Sequence, residues 1–180
     1  MTIGQNFILQ SDNFFDNPNE IREYALNQRF YSHEESKKLS APAGSYAGVR
    51  TQEIHTFNRL FFDNLCQKIF SKVIDLTDVE SLDWRVSAYF HLQNSDDFVE
   101  NTIHKDQGVL YAGLIYLTPE IGEEFGTSLY DEDYKVAKTF LNKYNRLVVY
   151  DANINHGPSG FTDGRLTLTF FIKHLDIKYQ

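Results

Sequence analysis

The sequence predicts a mainly β protein, a sheet sandwich or barrel with helices packed on one face, and three observations carry that prediction. Apolar residues recur about every four positions in the first half and every second position in later segments, the periods of a helix and of a half-buried strand. Aromatic residues make up 15% of the chain, and their broad side chains pack well on pleated sheets. Helical patterns come first and strand patterns follow as a run, an order that segregates helices to one side of the sheets.

Taken in order, Asn17-Pro18-Asn19-Glu20 opens the first helix. Asn can cap, proline suits the first helical position, and Glu stands three residues after the cap. Ile21, Tyr24, Ala25 and Gln28 then mark one face. Residues 32–50, rich in Ser, Lys, Pro and Gly, read as a loop with a short strand near Val49. A second helix spans 56–74, with Phe57, Phe61, Leu65, Ile69 and Val73 as its apolar stripe. Strands follow at 84–92, 109–117, 127–130, 146–151 and 165–173, the second of them stopped by Thr118-Pro119. In the first, Trp84, Val86, Ala88, Phe90 and Leu92 alternate with Arg85, Ser87, Tyr89 and His91. In the last, Leu166, Leu168, Phe170 and Ile172 alternate with Arg165, Thr167, Thr169 and Phe171. Residues 132–144 read as a helix on Tyr134, Ala137, Phe140, Leu141 and Tyr144. A chain of 180 residues fits one domain, 1–80 a largely helical support and 81–175 the β core.

The formal charge of −8 argues against broad binding to a phosphate backbone, which needs Lys and Arg to displace counterions, so no nucleic-acid partner is expected. Cys66 is the only cysteine, which excludes an internal disulfide, and its neighbours Leu65 and Ile69 suggest a buried structural thiol. The N-terminal stretch lacks the basic start and long apolar core of a signal peptide. No segment reaches the length of a membrane span. The expectation is a soluble, cytoplasmic protein with no membrane partner.

The residues that carry chemistry stand in the second half. His104-Lys105-Asp106 comes just before the long strand, and His156 lies in the turn-rich segment after 146–151. Positions two apart on an extended chain point the same way, so His104 and Asp106 can converge. Two imidazoles and one carboxylate on one face of iron(II) leave adjacent positions open, the arrangement of oxygen-activating non-haem sites. A lone His-x-Asp is a weak motif that needs structural context; the bland alternative is a surface pair beside a strand. Arg165 adds context. A dicarboxylic co-substrate that chelates the metal at one end must place its other carboxylate elsewhere, and a guanidinium offers a permanently charged, bidentate partner. Thr167, two residues on and on the same face, can add a hydrogen bond.

Together these residues resemble the iron(II)/2-oxoglutarate oxygenase superfamily, in its prolyl-hydroxylase-like branch, over roughly residues 84–172. The pattern is His104-x-Asp106, Tyr111-Ala-Gly-Leu-Ile-Tyr-Leu-Thr-Pro119, Gly126-Thr127-Ser-Leu129-Tyr130, Asn145-Arg-Leu-Val-Val-Tyr150, His156 and Arg165-Leu-Thr-Leu-Thr-Phe-Phe171. The resemblance implies a distorted double-stranded β-helix, a jelly-roll-like, cupin-type core. It implies iron(II) held by His104, Asp106 and His156, with 2-oxoglutarate as co-substrate bound by Arg165 and Tyr116. It further implies consumption of dioxygen, release of succinate and carbon dioxide, and oxidation of a C–H bond, in the usual outcome a hydroxylation, of a peptidyl prolyl-type residue or a small molecule. Tyr89 is similar to a second tyrosine of the co-substrate pocket, with a packed sheet tyrosine as the alternative, because the gap to His104 is longer than in the family. Phe125-Gly126-Thr127 also departs from the family's paired glycines, which suggests a shifted strand or an altered turn.

His33, His55, His91 and His174 have no partner at metal spacing and read as structural or surface residues, with His91 sharing the polar face of Tyr89. Asp131-Glu132-Asp133 reads as a solvated loop or helix cap, and residues 93–103 as a candidate substrate lid. Two rival functions stay open: a cupin-like metal-binding isomerase or sugar-binding protein without oxygen chemistry, and a non-catalytic binding domain of the same fold.

Overall fold

The computed structural model describes residues 7–39, 46–97 and 102–180. In chain order these form β1 (Ile8–Ser11), α1 (Pro18–Leu26), β2 (Tyr31–Ser32), α2 (His33–Lys38), β3 (Val49–Arg50), α3 (Ile54–Phe57), α4 (Arg59–Val73) and β4 (Val79–Gln93). The second half adds β5 (Tyr111–Tyr116), β6 (Thr127–Tyr130), β7 (Val136–Phe140), β8 (Leu147–Asp151), β9 (Asn155–Pro158) and β10 (Arg165–Tyr179). Seven strands make one sheet in the order β1-β8-β5-β10-β4-β3-β2, and three make a second in the order β7-β6-β9. All neighbouring pairs are antiparallel.

Strict alternation along the strands divides the larger sheet into two faces. Register pairs such as Phe170 with Gly113 and Ala88, or Leu168 with Ile115 and Phe90, put the apolar half of β10, β5 and β4 on the outer face. There they meet Ala25 of α1 and Phe62, Leu65, Cys66, Ile69, Phe70 and Val73 of α4 in one core. Burial pushes the Cys66 thiol up to about 12, so it stays protonated and structural. On the inner face Ala112, Leu114, Tyr116, Val148 and Tyr150 pack against Leu129 and Phe140 of the smaller sheet. The smaller sheet therefore roofs the β8–β5 side, and the β10–β4–β3 side of the inner face is left to line a cavity. No helix among the described residues is long and apolar enough to cross a membrane.

The five expected strands form, and other expectations need correction, among them the loop expected at 32–50, where His33–Lys38 form α2 behind a Ser32 capping box. Residues 132–144 are not helical: they make a hairpin turn and β7. Tyr134 sits at φ 59°, and the Asp131 carboxylate accepts from the backbone N–H groups of Asp133 and Lys135, a side-chain turn that competes with helix formation. The expected helical face would also have been wet, since Tyr134 and Leu141 are exposed and only Phe140 is buried. The helix expected at 56–74 breaks at Asn58, whose side chain accepts from Phe61 N–H and caps α4. Its buried stripe is Phe62, Leu65, Cys66, Ile69, Phe70 and Val73, and Phe57 is exposed. His156 lies on β9 rather than in a turn. Asn17 makes no side-chain cap bond. The short strand near Val49 is present, and the first half also supplies both edges of the larger sheet: β1 pairs with β8, and β2 pairs with β3, which pairs with β4.

Candidate metal centre and its cavity

His156 is placed by β9, which pairs Leu129 with His156 across β6. His104 is tied to the same spot by reciprocal backbone hydrogen bonds with His156, each 2.9 Å. Gly157 permits this approach, because a Cβ there would stand 3.1 Å from Thr102 O. Asp106 N–H donates to Ala152 O at 3.0 Å, which turns the chain so that both side chains of the His-x-Asp segment converge on His156. The ligand-type atoms of the three residues lie within 4.8 Å of one another.

The imidazoles are oriented from behind. His104 Nδ1 faces Thr102 O at 2.7 Å and His156 Nδ1 faces Ile154 O at 2.8 Å. A carbonyl only accepts, so each Nδ1 carries the proton, and each Nε2 turns its lone pair inward. Those atoms meet Asp106 at 3.6 Å and 3.2 Å. Three electron-rich atoms then face one another, and Asp106 Oδ2 is buried with no hydrogen-bond partner. A divalent cation between them resolves both facts, and the donor set suits iron(II). A proton on Nε2 can stand in for the cation: burial then pushes the Asp106 carboxyl up, but donation from the two imidazoles outweighs it and holds the carboxyl well below the usual carboxylate range. Asp106 in turn raises His104, against burial.

The three residues stand in the wall of a cavity of about 680 Å³ that Arg165, Thr167 and Tyr89 also line. Arg165 is 4% exposed. Its guanidinium donates to Phe125 O at 2.8 Å, to Gly126 O at 3.1 Å, to Thr127 Oγ1 at 3.4 Å and to Gln93 Oε1. All four partners are neutral, and no carboxylate among the described residues pairs with it. Gly126 is required here, because a Cβ would meet Phe140 O at 1.9 Å. That close packing is what the altered Phe125-Gly126 turn provides, with β6 still beginning at Thr127. Arg165 reaches β6 at Gly126 and Thr127, two residues before the partner of His156, about 7 Å along a strand.

The other expected residues are placed less directly. Tyr116 is fully buried and does not line the cavity; its hydroxyl lies 3.1 Å from Thr127 Oγ1 and 3.2 Å from Phe140 O. Its ring centre is 5.5 Å from the Arg165 guanidinium carbon, so Thr127 bridges the two. Thr167 is buried with its hydroxyl 3.2 Å from that of Thr169. Tyr89 pairs in register with Thr169, four positions along β4 from Gln93, the partner of Arg165. Its hydroxyl donates to Glu53 Oε1 at 2.9 Å, and burial followed by Glu53 raises its pKa. His33, His55 and His174 lie away from the triad, against Tyr46, Glu53 and Asp83 respectively. The candidate lid falls partly outside the described residues; within it Ser95 bonds Asp163 and Asn94 bonds Gly164.

Three cavity residues escaped the sequence reading of the site, and a fourth, His91, was read as structural or surface while sharing the polar face of Tyr89. Gln93 ends β4 and bonds Arg165; its signal was the continuing alternation after His91. Tyr150 stands beside His156, ring centres 4.8 Å apart. His91 is buried, with Nε2 2.6 Å from Ala47 O, and desolvation and then Arg50 hold it neutral. Arg50 comes from the first half of the chain, on a strand of two residues that carries no motif. A second cleft of about 730 Å³, lined by Lys105, Tyr130, Asp131, Lys138 and Asn153 among others, contains none of the triad.

No protein-family model matches the sequence, and no curated protein matches it. Solved structures do. A prolyl hydroxylase from Trichoplax adhaerens, in complex with a hypoxia inducible factor oxygen degradation domain peptide fragment, is 13% identical with a TM-score of 0.59, covering 92% of this chain and 82% of that one. An oxidoreductase of the 2OG-Fe(II) oxygenase family from Burkholderia pseudomallei is also 13% identical at 0.59, with 94% and 84% covered. HygX from Streptomyces hygroscopicus, with nickel and 2-oxoglutarate bound, is 14% identical at 0.57, with 93% and 82% covered. At these identities the likeness is one of fold: this chain has the double-stranded β-helix of the 2-oxoglutarate–iron(II) oxygenases, and on it a His-Asp-His group that could hold a metal.

Proposed function

We propose that this protein is an iron(II)- and 2-oxoglutarate-dependent dioxygenase that oxidises a C–H bond, by hydroxylation, of a peptidyl or small-molecule substrate, with release of succinate and carbon dioxide. One observation carries the reading: a convergent His104, Asp106 and His156 share a cavity with a buried arginine that has only neutral partners. A buried charge without a counter-charge is costly, and a co-substrate carboxylate supplies one. A metal-binding isomerase or sugar-binding protein on this fold has no use for that arginine.

His104, Asp106 and His156 would hold the metal. Iron(II) bound there would supply the redox and Lewis-acid chemistry on dioxygen that side chains lack. Thr102 and Ile154 carbonyls fix the imidazoles so that Nε2 is presented. Arg165, pinned by Gln93 and the Phe125-Gly126 backbone, would receive the distal carboxylate, with Thr127 linking it to Tyr116. The rings of Tyr150, Phe171 and Tyr89 line the space around it.

The test is a 2-oxoglutarate titration on manganese(II)-loaded, oxygen-free protein. Asp106→Ala should lose metal binding while staying folded, since two neutral imidazoles remain. Arg165→Ala should bind metal as wild type does and 2-oxoglutarate about ten- to a hundredfold more weakly, the worth of a charge-assisted pair. Arg165→Lys should recover only part, because an ammonium cannot reproduce the fork. Equal 2-oxoglutarate affinity in wild type and both arginine variants removes Arg165 from the co-substrate site, and no binding by wild type removes the oxygenase reading.

A further inference from the structure

Arg50 is a second buried cation in the same cavity. Its strand pairs it with His91, which pairs in turn with Thr167, and register partners share a face. Arg50 therefore enters from two strands away from β10, about 10 Å across the sheet, and not from the Arg165 end. Its guanidinium carbon stands 4.3 Å from the Tyr46 ring centre and 5.7 Å from those of Tyr89 and Phe171. The rings surround the guanidinium at cation–π distance, and a ring face accepts no in-plane N–H hydrogen bond, so those groups remain to donate. Arg50 Nε is buried with no hydrogen-bond partner, and among the described residues no carboxylate lies within ion-pair distance of this side chain. Arg50 lines the same cavity as His104, Asp106 and His156, so what docks at Arg50 shares that cavity with the metal triad.

We propose that Arg50 is the receptor for a carboxylate on the primary substrate, so that the molecule oxidised is a small carboxylic acid rather than an internal residue of a peptide. The inference rests on the oxygenase reading and deepens it. Charge matching selects the class. A divalent metal is offset by Asp106 and by one end of 2-oxoglutarate, and Arg165 by the other end. Arg50 then keeps a single uncompensated positive charge, which a monoanionic carboxylate neutralises and a phosphate dianion exceeds. His91 is neutral, and Lys173 at the mouth is bonded to Ser87 Oγ at 2.6 Å, so neither competes for the role. The caged guanidinium is pre-organised, and it offers its free edge to both oxygens of a carboxylate.

The experiment uses the full chain loaded with manganese(II), oxygen-free and saturated with 2-oxoglutarate so that Arg165 is occupied. Acetate, isobutyrate, benzoate and L-proline, and the amide of each, are titrated calorimetrically into wild type, Arg50→Gln and Arg50→Lys. At least one carboxylate should bind wild type about ten- to a hundredfold more tightly than its amide. Arg50→Gln should abolish that preference and Arg50→Lys keep part of it, with 2-oxoglutarate affinity unchanged in both as proof that the cavity is folded. If Arg50→Gln does not fold, a preference undiminished in Arg50→Lys overturns the inference. So does a wild type that binds acids and amides alike or binds neither, or a preference that survives in Arg50→Gln. The two readings fail separately. If 2-oxoglutarate does not bind wild type, the oxygenase reading falls, and the same panel on protein without co-substrate still decides whether Arg50 selects carboxylates.

Discussion

Arg146 and Arg165 are both buried arginines beside strand ends of one sheet, and they are treated in opposite ways. At the β1–β8 corner, Arg146 donates to both oxygens of Asp12, at 2.6 and 3.3 Å, and Lys143 reaches the same carboxylate at 2.7 Å. The Asn145 side chain ties Phe15 to that corner through its backbone N–H and carbonyl. In the cavity, Arg165 has carbonyls, an amide and a hydroxyl, and no acid. Burial costs both, but only the first carries its own counter-charge. The difference separates a cation that holds the framework from one held ready for an anion. The same division runs along β10, where Leu166, Leu168 and Phe170 face the helices while Arg165, Thr167 and Thr169 face the cavity.

The largest expected effect tests that division on neighbouring residues. Leu168→Ala removes a fully buried side chain from the outer core and should cost about 2–5 kcal/mol in denaturant unfolding. Thr169→Ala, one residue on, faces the cavity and should cost under about 1 kcal/mol. Comparable losses would mean that the inner face is a packed core and not a binding wall.

Much of this was legible in the sequence, for identifiable reasons. Alternation in 84–92 and 165–173 reports burial directly, because period two has one solution on a sheet. Convergence of His104, Asp106 and His156 was readable because the spacing, the turn before His156 and a following Arg all point to one chemistry. Residues 132–144 misled because Tyr134, Ala137, Phe140, Leu141 and Tyr144 fit a helical period, while the decisive feature was the Asp131 side chain capturing two backbone donors. Arg50 was invisible for a different reason. A strand of two residues has no periodicity, and only the pairing with β4 carries that arginine into the cavity.

A crossed experiment sharpens the arginine comparison. Asp12→Ala leaves Arg146 buried and uncompensated and should cost about 2 kcal/mol, below the range for a fully buried pair because the Asp12 side chain is 32% exposed. Arg165→Met removes a charge that had no acid partner, and cavity water can serve the freed acceptors, so its cost should be smaller, within about 1 kcal/mol. On protein already saturated with metal, 2-oxoglutarate at a hundred times the wild-type Kd should then stabilise wild type and Asp12→Ala alike, by about 2.7 kcal/mol, and Arg165→Met by only about 0.4 to 1.4 kcal/mol. A larger unfolding penalty for Arg165→Met than for Asp12→Ala would erase the distinction between the two sites.

The smallest effect is the acid dependence of the framework pair. Arg146 and then Lys143, by hydrogen bond and charge, hold the Asp12 carboxyl at about 2, below its ordinary 3.8 and against some burial. A folded pKa below the unfolded one means that the unfolded chain binds the proton first as pH falls. The stabilisation is therefore complete above about pH 4 and is lost as pH drops through about 2. At a carboxylate this exposed, solvent screening limits it to about 1 kcal/mol. Asp12→Asn keeps the shape and lacks the charge, so its stability deficit against wild type should hold steady at neutral pH and close between pH of about 4 and 2. A deficit that stays constant across that window would show that Asp12 acts through hydrogen bonding alone, and that charge compensation does not distinguish Arg146 from Arg165.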